Sequence, residues 1–278
     1  MSTDKKIVLV TGGNTGLGYE IIKALYASPH AYALIIGTRT VSNGDAAITK
    51  LQSEVPTPGG ASTLSVVQID IASDQSIEAA VASIASSHGR IDSLINNAGA
   101  NFDTDVRDGK VGLREGFNAS WDVNVSGTHV LTTHAIPLLL KSTDARLMFL
   151  TSGTSSIAET MPENWGNMYM LPRINASPPA GWPKPPPMHP LTTYRSTKAG
   201  LNMLMREWAR ILKEDGIKVW AVSPGFLATG LAGTGVDVLR KMGALEPHVG
   251  GEFVRDVVEG KYDSQAGLVI RAEQPQPW

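Results

Sequence analysis

Short, near-continuous apolar runs alternate along this chain with longer stretches in which apolar residues recur at helical spacing. The runs lie at 7–10, 33–36, 64–69, 93–95, 147–150, 219–222 and 268–270. They do not alternate apolar with polar, so they predict strands buried on both faces of a parallel sheet. Helical spacing predicts helices at 18–27, 74–87, 119–140 and 194–214, among others. The β-α-β-α order predicts one α/β domain over 1–278, a Rossmann-type doubly wound parallel sheet with helices on both faces. One stretch, about 157–190, breaks the rhythm. It holds nine prolines between Pro162 and Pro190, with Met161, Trp165, Met168, Tyr169, Met170, Trp182 and Met188. It reads as too proline-rich for a helix and too apolar for a solvated linker.

Composition narrows the function classes. The chain has 278 residues, 42% hydrophobic and 18% charged, enough for a real core. With 24 basic and 26 acidic residues and no basic stripe, nucleic acid is not an expected partner. There is no cysteine, which excludes disulfides, thiolate metal sites and cysteine nucleophiles, and no metal is expected. No apolar run approaches the roughly 20 residues of a membrane span, and the start of the chain does not read as a signal peptide. A cytoplasmic location is the expectation, and the sequons at Asn118, Asn124 and Asn175 are read as chance.

The first run ends in Thr11-Gly12-Gly13-Asn14-Thr15-Gly16-Leu17-Gly18, directly before a helical pattern. Glycines there let the chain turn sharply and let the backbone approach a pyrophosphate, while the helix N-terminus offers free N–H groups to the anion. The second run ends Gly37-Thr38-Arg39-Thr40, without the carboxylate that would bind a ribose 2′-hydroxyl. A guanidinium at Arg39 suits a 2′-phosphate by charge and by its forked donors. Tyr194 and Lys198 stand at i and i+4, one turn apart on one helix face. A free phenol titrates near about 10, and a neighbouring ammonium favours the phenolate and lowers that value.

The spacing Thr-Gly-x-x-x-Gly-x-Gly resembles the nucleotide loop of the short-chain dehydrogenases/reductases, in the variant of their carbonyl reductase branch. Asn96-Asn97-Ala98-Gly99 and Tyr194-x-x-x-Lys198 match the family in the right order, so the resemblance covers nearly the whole chain. It implies a cofactor site at Gly12, Asn14, Thr15, Gly16, Leu17, Gly18, Arg39, Asp70, Ile71, Asn97, Ala98 and Gly99. It extends that site through Tyr194, Lys198, Pro224, Gly225, Phe226, Leu227 and Thr229. Asp70 would meet the adenine amino group. Its alternative is helix capping, for which Asp74 reads as the better residue. Pro224-Gly225-Phe226-Leu227-Ala228-Thr229 would grip the nicotinamide carboxamide. A basic residue at Arg39 implies NADP(H).

The resemblance also implies the catalytic set Asn124, Ser152, Tyr194 and Lys198. Asn124 would hold a relay water, and Lys198 would also bind the nicotinamide ribose. Ser152 is the best match for the serine that bonds the substrate oxygen, with Ser155 and Ser156 as rivals. The expected activity is NADPH-dependent reduction of a small-molecule carbonyl, largely apolar and bulky, with Tyr194 as proton donor. The alternatives are an NAD(P)-dependent alcohol dehydrogenase in the oxidative direction and a non-catalytic NADP-binding regulatory protein. Ser152 and Tyr194 lie 42 positions apart, a longer span than most of the family has. Carbonyl reductases carry an insertion there that goes with a monomeric state, so monomer or homodimer stays open.

Overall fold

Seven strands lie parallel in the order β3-β2-β1-β4-β5-β6-β7. They are β1 Lys6–Thr11, β2 Tyr32–Thr38, β3 Thr63–Gln68, β4 Ser93–Asn96, β5 Arg146–Leu150, β6 Lys218–Val222 and β7 Val269–Ile270. The structure, a computed structural model, describes residues 5–167, 170–182, 184, 191–272 and 274–278. The α-helices are α1 Gly16–Tyr26, α2 Val41–Glu54, α3 Asp74–His88, α4 Asp103–Arg107 and α5 Leu113–Trp121. They continue as α6 Thr128–Leu139, α7 Met170–Asn175, α8 Thr192–Ile211, α9 Val236–Lys241 and α10 Pro247–Val258.

The strands are apolar throughout because both faces are covered. In β1, Ile7 and Leu9 join a core shared with α3, α6 and α8, while Val8 and Val10 join one shared with α1, α2 and α10. Successive residues of a strand point to opposite faces, so one short run feeds two cores. The strand order reverses between β1 and β4, and a doubly wound sheet opens its ligand crevice at that point, beyond the carboxyl ends of the strands. At the opposite end of the sheet, buried Arg146 pairs with Asp144 and Asp263, and Lys218 bridges the same two carboxylates.

Several expectations need correction. The run read as one helix over 119–140 is two helices, since α5 begins at Leu113 and a π-turn, Asp122–Gly127, separates it from α6. Helix α8 starts two residues before Tyr194 and stops at Ile211, short of 214. Asp74 does not cap α3. Ser73 does, its hydroxyl accepting from the Ser76 N–H at 3.3 Å, and Asp74 is the first helical residue. The insertion does carry a helix, α7. Its Pro172 falls in the first turn, where the missing N–H would have had no partner within the helix.

Candidate active site

The loop from β1 to α1 is shaped by its glycines. Gly12 and Gly16 hold left-handed backbone, at φ 64° and 54°. A Cβ on Gly18 would lie 2.2 Å from the Gly12 carbonyl oxygen and 2.5 Å from Asn97 Nδ2. The motif after β4 is tied to this loop. Asn97 Nδ2 donates to the Thr11 carbonyl at 2.8 Å, and the Asn97 and Ala98 N–H groups both reach Thr11 Oγ1 at 3.0 Å. No side chain caps α1, so its first N–H groups point free at the crevice. Leu17 and Leu227 meet across Gly250, and Thr229 stands beside Gly16, which brings the 224–229 segment against the same loop. Gly225 supplies its left-handed turn at φ 99°.

At the rim, Arg39 is exposed, and among the described residues its guanidinium has no ion-pair partner. Asp70 Oδ1 accepts the Ala72 N–H at 3.1 Å in a local turn. The buried Ile71 presents its carbonyl to Gly127, where a Cβ would collide with it. An uncapped helix end and a glycine turn fit the pyrophosphate of a dinucleotide.

The catalytic candidates converge on the edge beyond β4 and β5. Lys198 is 4% exposed, and its Nζ donates to the Leu150 carbonyl at 2.7 Å and lies 5.7 Å from the Tyr194 ring centre. Gly99 leaves room beside it, since a Cβ there would come within 3.5 Å of Nζ. Burial pulls the Lys198 ammonium down to about 8. Burial pushes the Tyr194 phenol up to about 12, and its hydrogen bond with Ser152 works against that rise. Loss of water thus outweighs Ser152, and the net shift of the phenol is upward, against the lowering expected from Lys198.

Of the three serines, only Ser152 acts on the Tyr194 phenol, pulling its pKa down against the rise from burial. Its hydroxyl also pairs with Thr154 Oγ1 at 3.0 Å. Ser155 is buried in a network with Thr151, Asn202 and the Ser152 carbonyl. Ser156 is buried as well, accepting the Glu159 N–H at 3.1 Å. Asn124 sits in the π-turn with its side chain fully engaged. Its Oδ1 accepts the Ala100 N–H, and its Nδ2 donates to the Ala100 carbonyl and to Thr197 Oγ1.

Sequence reasoning missed Asp103. The first residues of α8 have no local cap, and the buried Asp103 carboxylate accepts the N–H of Thr193 at 3.0 Å and of Tyr194 at 2.9 Å. No motif marks it. Arg195 was missed too. Its Nε donates to the Thr154 carbonyl at 2.9 Å and its Nη2 to Asn175 Oδ1 at 2.6 Å, which fastens α7 to α8. Arg173 of α7 reaches the Met242 carbonyl at 3.4 Å, so the insertion spans toward the turn after α9. Met161 is exposed and Trp182 is 88% exposed, so neither pins the insertion to the domain. Met168, Tyr169 and Met188 lie outside the described residues.

A glycine cradle at the switch point of the sheet and a tyrosine–lysine pair on one helix face define the nucleotide-dependent oxidoreductases of the doubly wound class. A family model described as short chain dehydrogenase matches residues 6–170, and one described as Enoyl-(Acyl carrier protein) reductase matches 187–247. The chain belongs to the short-chain dehydrogenase/reductase family. The short-chain dehydrogenase/reductase eupG of Phoma sp is 45% identical over 283 residues, covering 99% of this chain and 98% of its own. The short-chain dehydrogenase/reductase tropE of Talaromyces stipitatus is 42% identical over 278 residues, covering 99% of each. The NADPH-bound carbonyl reductase from chicken fatty liver shares the fold at a TM-score of 0.74, with 22% identity and 99% of each chain covered. The protein is thus an oxidoreductase of a family that uses a nicotinamide cofactor. Among the described residues, no helix is long and apolar enough to cross a membrane, and no cluster of metal-ligating side chains is present.

Proposed function

We propose that this enzyme reduces a ketone or aldehyde to an alcohol with NADPH, and that its substrate is largely apolar and bulky. The observation that carries this reading is the placement of Tyr194 one helical turn from the buried Lys198, whose Nζ lies 5.7 Å from its ring centre. A reduction needs an acid at the carbonyl oxygen, and a phenol whose anion a neighbouring ammonium stabilises serves as one. The reduced nicotinamide, when bound, supplies the hydride. Ser152 orients the carbonyl oxygen by hydrogen bonding, and Tyr194 delivers the proton to it. The Lys198 ammonium steadies the phenolate left behind and reaches the nicotinamide ribose. The π-turn loosens the helical ladder around Asn124, whose main chain then binds the water that returns a proton.

Arg39 supports NADPH over NADH, because a charge-assisted bond to the 2′-phosphate would otherwise have no partner for its guanidinium. The name of the chicken structure, an NADPH-bound carbonyl reductase, points the same way. An apolar, bulky substrate is supported by Phe226, Leu231, Val238 and Leu245, which stand exposed on the stretch whose Met242 carbonyl takes Arg173 of the insertion. The test is NADPH oxidation against a panel of aromatic and polycyclic ketones, small aldehydes and quinones. Turnover is expected to be highest for the bulky ketones. Absence of turnover with every carbonyl, and with the matching alcohols and NADP⁺, would overturn the proposal.

A further inference from the structure

We propose that Gln276, which follows β7, is a positioning residue for Ser152. This rests on the reading of Ser152 as the group that orients the carbonyl. After β7 the chain doubles back. Pro275 pairs with Ile270 in an antiparallel bridge, and the Gln276 N–H donates to the Val269 carbonyl at 2.9 Å. The return places the Gln276 side chain behind the serine turn, 3% exposed. Its Nε2 donates to the Ser152 carbonyl at 3.2 Å and lies 3.4 Å from Ser155 Oγ.

Satisfying Ser152 does not explain this contact. The Ser152 carbonyl already accepts the Ser155 N–H at 3.1 Å and the Ser155 hydroxyl at 2.6 Å, both within the same turn. Nor does stability explain a glutamine at 276. Among the described residues its Oε1 is buried without a partner, and an unmet buried polar atom destabilises a fold. An apolar side chain of equal length would suit folding better. What the amide does is fix the carbonyl of Ser152 from outside its own turn, 124 residues away in sequence.

The same segment also holds the insertion. Arg271 pairs with Glu159 at 2.9 Å, both side chains buried. The Glu159 carbonyl accepts from Asn175 Nδ2 at 2.9 Å, and Asn175 in turn accepts from Arg195, the neighbour of Tyr194. A chain of contacts results. It runs from Arg195, the neighbour of Tyr194, through Asn175 and Glu159 to Arg271, while Gln276 from the same end of the chain reaches the Ser152 carbonyl. Helix α8 and the serine turn are thereby both tied to the residues that follow β7. A three-residue 3-10 turn alone would not hold Ser152 to the few tenths of an ångström that such a site requires.

The experiment compares Gln276→Met, Ser152→Ala and the double variant with the native enzyme on one ketone, with kcat, KM, NADPH Kd and Tm measured for each. Gln276→Met is expected to lower kcat about tenfold, with KM and Kd within about twofold and Tm equal or higher. Because Gln276 acts through Ser152, the double variant is expected to be no slower than Ser152→Ala alone. The inference is overturned if Gln276→Met keeps native kcat, if its loss of kcat comes with a matching fall in Tm and NADPH affinity, or if the two effects multiply. Native kcat in Ser152→Ala would instead overturn the reading of Ser152, a result distinct from all three.

Discussion

Asp103 accepts the main-chain N–H of Tyr194 at 2.9 Å from 91 residues earlier in the chain. The start of the catalytic helix is therefore set by the segment that follows Asn97-Ala98-Gly99, and the cofactor cradle and the proposed acid share one anchor. Asp103→Ala removes the cap of α8. It should lower stability by about 0.5–2 kcal/mol, the usual range for a lost cap, and reduce kcat in step with the disorder it brings to Tyr194. Asp103→Asn keeps one acceptor oxygen and should fall between. Thermal unfolding beside steady-state kinetics checks this; an unchanged Tm in Asp103→Ala would count against the anchoring role.

Tyr194→Phe keeps the ring and removes the proton. Turnover should nearly vanish while NADPH binding, followed by fluorescence titration, stays within a few-fold. Lys198→Ala should damage both measurements, since the proposed mechanism gives that side chain both the phenol and the ribose. Full activity in Tyr194→Phe would end the mechanism.

The Lys198 ammonium, held down to about 8 by burial, gives two pH signatures. Catalysis needs the charged form, so kcat for reduction should decline as pH rises through about 8. The stability effect has the opposite sign. The folded state binds this proton less tightly than the unfolded state, so the penalty is complete below the folded value and fades as pH climbs toward the ordinary lysine range. Lys198→Met should accordingly be more stable than the native protein at neutral pH, by on the order of 1–3 kcal/mol, and the gain should shrink by pH 10. Denaturant unfolding at the two pH values measures it; a Lys198→Met variant less stable at neutral pH would contradict the direction.

Arg39→Asp replaces a phosphate partner with a carboxylate suited to a ribose hydroxyl. A charge-assisted contact contributes roughly 1.5–3 kcal/mol, so the native enzyme should favour NADPH by more than tenfold and the variant should prefer NADH. Equal kcat/KM for both cofactors in the native enzyme would refute the assignment.

The sheet was legible because each strand is buried on two faces, which leaves an apolar run in the sequence. Helix α2 was harder to read, since only Gly44, Ala47 and Leu51 turn inward. The glycine loop and the Tyr194–Lys198 pair were legible because their chemistry demands fixed spacing. Choosing among Ser152, Ser155 and Ser156 needed coordinates: all three are small polar residues in one loop, and only the partners they meet tell them apart. Asp103, Arg195 and Gln276 left no signal. Each works through a main-chain group far away in sequence, and the identity of a residue that donates or accepts a backbone carries no spacing with it.

The π-turn at Asp122–Gly127 carries a further consequence, one for insertions and deletions. Such a turn absorbs an additional residue within an otherwise regular rod and leaves the flanking helices facing as they did. Here α5 keeps its packing on α8, and α6 keeps its packing on α3. Removing a single residue from the turn would restore an ordinary helix that the scaffold can accept, and Asn124 would lose its place beside Ala100 and Thr197. A one-residue deletion in this stretch is expected to spare the fold and, on the proposed role of Asn124, to lower turnover.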